Sequence, residues 1–208
     1  NVNTPVIQET NKKPLHEIRE GISEARKNPI IFGNLLAAGI VSSLILNMGT
    51  YGPLFADRVL HKGLDGFGSI LFAAGAGSMA SGILSATSST HYSQRFIFTA
   101  AGLCGLLLLA GSYIFWTIPA LLMFALLGFA TILFMVNCNT AIQMASPPEY
   151  LGRIMGLYTF VFLGSAPFGS LLVSAIIEYM GTSLGLAIVG LFEIILILLT
   201  AKTYSKQK

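Results

Sequence analysis

Residues 96–148 read FIFTAAGLCGLLLLAGSYIFWTIPALLMFALLGFATILFMVNCNTAIQMASPP. These 53 residues contain no Lys, Arg, Asp or Glu. A helix crossing the hydrocarbon core needs about 20 apolar residues, because each residue rises about 1.5 Å. The stretch is too long for one crossing and fits two. Its natural hinge is Ser112 to Pro119, where Tyr113, Trp116 and Pro119 cluster. Tyr and Trp favour the headgroup layer, and Pro suits the first turn of a new helix.

Working outward, the same charge-free spacing recurs. Lys27 to Asp57 leaves 29 uncharged residues, Asp65 to Arg95 another 29, and Arg153 to Glu178 leaves 24. After Glu178 only Glu193 interrupts the run to Lys202. The expectation is an all-α membrane protein with six transmembrane helices near 30–54, 67–87, 96–113, 119–143, 154–176 and 183–201. Continuous runs exclude barrel strands, which alternate over about ten residues. The first apolar run starts after residue 28 and is too long for the core of a signal peptide.

Composition agrees. Of 208 residues, 54% are apolar and only 10% charged, against roughly 25% charged in a soluble domain. Mean hydropathy is +0.74. An ordinary cytosolic enzyme, a disordered chain and a nucleic-acid-binding domain are excluded. Cys104 and Cys138 both lie inside apolar runs, in neither a disulfide nor a zinc pattern. No GxSxG, Walker A or HExxH occurs, and no cofactor is expected. Residue 1 is Asn, so the expectation is a piece of a longer protein.

Six crossings put both ends on one side. That side collects Lys12, Lys13, Arg19, Arg26, Lys27, Arg95, Arg153, Lys202, Lys206 and Lys208; the other collects Arg58 and Lys62. The asymmetry predicts cytoplasmic termini in a cell membrane. Residues 1–13 read as a flexible linker. Residues 14–28 read as a cytoplasmic connector helix, amphipathic through Leu15, Ile18, Ile22 and Ala25 and lying at the membrane surface. The bundle proper is 29–201, and 202–208 is a cytoplasmic tail.

Small residues crowd the second and fifth crossings. Gly75, Gly77 and Gly82 in one, and Gly164, Pro167 and Gly169 in the other, are candidate gating or hinge positions. Small residues allow close backbone approach, and Pro frees a carbonyl and favours a kink. Static packing is the alternative. Gly68 and Gly75 also resemble Gly156 and Gly164, a weak repeat relating helices 1–3 to 4–6.

Polar residues inside a membrane usually face a bundle interior or a wet cavity. Ser43, Asn47, Thr50 and Tyr51 share one face of the first crossing, while Asn137 and Asn139 lie in the fourth, with Gln143 at its cytoplasmic edge. They are candidates for lining a substrate pathway; interhelical hydrogen bonding is the alternative. Glu193 is the one acid well inside a crossing, where a charge costs roughly 2.5–3.5 kcal/mol on insertion scales. It is a candidate proton site, or else a neutral or paired carboxyl with no role in transport.

Pro147-Pro148-Glu149-Tyr150-Leu151-Gly152-Arg153-Ile154-Met155-Gly156, followed by Gly164-Ser165-Ala166-Pro167-Phe168-Gly169, resembles the C-terminal half of major facilitator superfamily transporters. It looks most like the branch of transmembrane secretion effectors, which includes siderophore exporters and macrolide-efflux-like proteins. The run EIREGISEARKNP from Glu17 to Pro29 is similar to that family's connector into the seventh helix. The resemblance implies helices seven to twelve of a twelve-helix transporter, built as 3+3 inverted repeats. It implies an N-terminal six-helix half as partner, the lipid bilayer as solvent, and ion-gradient-driven export of small amphipathic molecules, with no nucleic acid involved. Arg153 would latch a state of the transporter, by pairing with Glu149 or with a charge on the other half, or would simply set topology. The loop Ser85 to Arg95 departs from the family's acidic-basic gating motif by lacking an acid. A stand-alone or homodimeric six-helix scaffold or channel is the competing architecture, and a membrane-embedded enzyme a third.

Overall fold

The computed structural model describes residues 14–87 and 93–207. The expected linker 1–13 lies outside them, as do residues 88–92 of the second-to-third-helix loop. The described residues form eight helices and no strand: α1 (Pro14–Lys27), α2 (Pro29–Leu44), α3 (Met48–Arg58), α4 (Gly63–Thr87), α5 (Gln94–Gly111), α6 (Thr117–Ala145), α7 (Leu151–Met180) and α8 (Thr182–Gln207). Among the described residues, six segments are long and apolar enough to cross a membrane, with α2 and α3 together making the first.

The all-helical, six-crossing expectation holds, with two local differences. Helix α8 runs through Gln207, into the stretch set apart as a tail. The first crossing is not one helix: it breaks at Ile45–Asn47. In hydrocarbon a break is tolerated only where the freed backbone groups find partners. Here the Ile45 and Leu46 amides both donate to the Val41 carbonyl, at 2.8 and 3.2 Å. The Asn47 side-chain amide donates to the Ser43 carbonyl, and the Tyr51 hydroxyl donates to that of Ile45 at 2.8 Å. Asn47 and Tyr51, which share a face on a straight helix, here bond to the backbone at the break.

The turns follow their residues. Asn28 separates α1 from α2; its side chain accepts from the Ile30 amide at 3.0 Å and donates to the Ala145 carbonyl at the end of α6 at 3.1 Å. Pro29 fits the first turn of α2 because its missing N–H is not needed there. Gly181 joins α7 to α8 at φ 81° and ψ 163°, a conformation open essentially to glycine alone.

Three seams dominate the bundle: α4 with α6, α2 with α7, and α5 with α8. Exchanging the unit α2–α5 with the unit α6–α8 turns the α4–α6 seam into the α7–α2 seam and leaves α5–α8 paired with itself. This is the packing expected of 3+3 related units. Each seam closes on glycine. Gly77 lies against the Ala125 carbonyl and Gly128 against that of Ala74; Gly169 lies against Ser43; Gly105 and Gly190 lie against each other. Gly68, Gly75, Gly156 and Gly164, which carry the sequence repeat, have open space around them.

Candidate functional site

A cavity of about 380 Å³ opens between α1, α2 and α7. Ile22, Ala25 and Arg26 come from α1, Leu36, Gly39, Ile40 and Ser43 from α2, and Leu157 and Val161 from α7. The lining is apolar except for Ser43 and the Arg26 side chain. Its walls are fixed by the α2–α7 seam. The Ser42 hydroxyl donates to the Phe162 carbonyl across it, and a Cβ on Gly39 would stand 3.1 Å from Val161.

The expected pathway residues separate in space. Ser43 lines the cavity. Asn47 is buried at the start of α3, Thr50 is half-buried, and Tyr51 is fully buried on the Ile45 carbonyl. Asn137 is half-buried and donates to the Leu133 carbonyl at 2.7 Å. Asn139 accepts from Gln143 and faces the Tyr158 hydroxyl of α7. None of these last five borders the cavity. Sequence reading missed the contribution of α1. Ile22 and Ala25, two residues of that periodicity, turn onto the bundle, with Ala25 completely covered. It also missed Asn34, fully buried in α2, whose amide donates to Ile30 at 2.8 Å and to Gln94 of α5 at 2.9 Å.

The gating candidates also fall into two groups. Gly77 and Gly169 sit in backbone contacts. Gly75, Gly82 and Gly164 have nothing near them, and Pro167 is exposed on α7. The Arg153 guanidinium donates to Glu20 of α1 at 2.7 Å and lies 5.6 Å from the Tyr150 ring centre. Gly21 packs on the Arg153 side chain, its position for a Cβ 3.4 Å away. The connector is therefore pinned to the start of α7. At its other end Lys27 pairs with Glu24 at 2.8 Å, and this hydrogen bond raises the Lys27 pKa above its ordinary value.

Glu193 lies wholly buried between α8 and α5, with its carboxylate against Gly105. Neither of its oxygens has a hydrogen-bond partner among the described residues.

Two further helix faces are uncovered. The α4 and α7 spans are each only 17% buried, against 44–56% for the other four. Phe72, Met79 and Ile83 project from α4, and Phe160, Phe168 and Leu171 from α7.

Comparison with known proteins returns one family and no individual relative. No curated protein and no solved structure matches the chain. The family model described as Major Facilitator Superfamily matches residues 3–170, which takes in the connector, the break, the cavity and both glycine seams beside it. Six apolar crossings packed as two related units agree with that match, and the chain is a multi-pass membrane protein belonging to the Major Facilitator Superfamily of transporters.

Proposed function

We propose that this chain is the C-terminal half of a secondary exporter. It supplies helices seven to twelve, works by alternating access, and moves small amphipathic molecules such as drugs or siderophores at the expense of an ion gradient. Its partner is an N-terminal six-helix half, and it resides in the cell membrane with both termini cytoplasmic. The observation that carries this reading is the pair of sparsely buried helices. Helices α4 and α7 are small-residue rods held by the bundle along one edge, with the rest of their apolar surface open. Such faces suit a second helical bundle that approaches closely and moves.

The cavity supports the substrate class. An apolar wall with one cation at the margin and one hydroxyl suits a molecule with an apolar body and a polar end. Ten basic residues on the terminal side against two on the other support the orientation. The test is accumulation of ethidium, a macrolide and a ferric siderophore in cells with and without the full gene. The reading expects lower accumulation of at least one in the expressing cells. Equal accumulation across the whole panel argues against amphiphile export.

A further inference from the structure

The cavity between α1, α2 and α7 has one end at the membrane border and the other inside the hydrocarbon. Arg26 stands three residues before Pro29, where the first membrane-spanning segment begins. From Phe32 to Ser43 the lining follows eleven residues of α2, which is about 16 Å along the helix axis. That is close to one leaflet of a hydrocarbon core roughly 30 Å thick. The cavity is open at Leu36, which is 41% exposed.

The two ends differ in what they offer an occupant. The Ser43 hydroxyl donates to the Ile40 carbonyl at 3.1 Å, so the one polar group at the deep end is already satisfied. Phe32, Leu36, Ile40 and Val161 present hydrocarbon alone. At the border, charges meet in pairs. Glu20 takes Arg153 at 2.7 Å, and Glu24 takes Lys27 at 2.8 Å. Arg26 has no ion-pair partner among the described residues.

The helix that carries Arg26 is held in place. Glu20 ties α1 to the start of α7, and the Asn28 amide ties its end to the Ala145 carbonyl of α6 at 3.1 Å. The cation therefore stands at the rim of an apolar cavity rather than on a loose tether. The complementary molecule has an apolar body about one leaflet long and a negative group at one end. Basic pockets between crossings recognise phosphate headgroups in this way.

We propose that the cavity seats an anionic phospholipid from the leaflet on the Arg26 side. Its phosphate accepts hydrogen bonds from the Arg26 guanidinium, whose planar fork matches phosphate geometry. One acyl chain lies along α2 as far as Ser43. The inference goes beyond the export reading: the lipid is a resident of the fold, and cargo entering this cavity has to displace it.

The experiment uses the full-length gene product, purified in detergent and read by native mass spectrometry. Phosphatidylglycerol and phosphatidylcholine of matched chains are added in equal amounts. Phosphatidylglycerol should be retained about fivefold over phosphatidylcholine, the worth of one cation near a membrane surface. Arg26→Gln should bring the two lipids to parity, and Arg26→Lys should keep most of the preference. Arg26 is exposed, so both variants should fold as the wild type does. Equal retention by the wild type, or a preference that survives Arg26→Gln, overturns the proposal. The seat of the chain is read in native membrane vesicles, with phosphatidylglycerol carrying a diazirine at the acyl end. Crosslinks should concentrate on the peptides that contain Ser43 and Val161. Crosslinks spread over all six crossings, or gathered elsewhere, overturn it as well. Both readouts are of bound lipid, so a transporter that exports none of the tested amphiphiles leaves this inference decided on its own.

Discussion

At the scale of single residues, the informative contact is Glu20 with Arg153. Both side chains are one quarter exposed, so water screens the pair and its worth is about 1 kcal/mol or less. Glu20→Gln and Arg153→Gln should each lower the melting temperature in detergent slightly, and the double variant by less than the sum of the two. The swap Glu20→Arg with Arg153→Glu should recover part of the loss. Strictly additive losses in such a cycle would mean that the two side chains do not act together. The pairing was not legible in the sequence, because 133 residues separate the partners. What was legible is that Arg153 stands at a helix start on the basic side, and that remains its position. Glu193 was legible for a different reason: one acid in a long apolar run is conspicuous without any geometry. Its tight glycine socket was not, since nothing in the sequence brings Gly105 of α5 to α8.

At the scale of helices, glycine content pointed to close packing but not to which glycines pack. In α4, Gly75 and Gly77 differ by two residues and therefore face nearly opposite directions. One is open and the other touches the backbone of α6. Gly77→Ala and Gly169→Ala should each destabilise the protein by about 1–3 kcal/mol, because backbone must move to admit the methyl. Gly75→Ala and Gly164→Ala should be neutral, or stabilising by about 0.5–1 kcal/mol, through lower chain entropy alone. Thermal unfolding of the four variants, followed by size-exclusion fluorescence, distinguishes the pairs; equal behaviour would contradict the seams. The break between α2 and α3 escaped sequence reading because Ser43, Asn47, Thr50 and Tyr51 fit one face of a straight helix equally well. The Ser43, Asn47 and Tyr51 side chains instead bond to the backbone, an option periodicity does not register.

At the scale of the whole molecule, the six crossings were legible almost entirely, since span length follows from hydrocarbon thickness and uncharged runs. The lateral order of the helices was not, because every crossing is apolar around most of its circumference. The orientation yields a direct prediction. In a background with Cys104 and Cys138 replaced by Ala, single cysteines at Arg26 and Lys202 should react with a membrane-impermeant maleimide only from the cytoplasmic face. Those at Lys62 and Tyr179 should react only from the outside. Labelling of Arg26 and Lys202 positions from opposite faces would reduce the crossings to an odd number.

The seat of α1 sets an order of events during synthesis. The helix leaves the ribosome before the six crossings described here, yet its acceptor at Arg153 follows 133 residues later. At roughly 5–20 residues per second, Glu20 of the connector waits on the order of ten seconds for that acceptor. Docking of α1 is thus a checkpoint that reports arrival of the fifth crossing, and ribosome-bound intermediates stalled before that point should leave the connector open to protease while longer ones protect it.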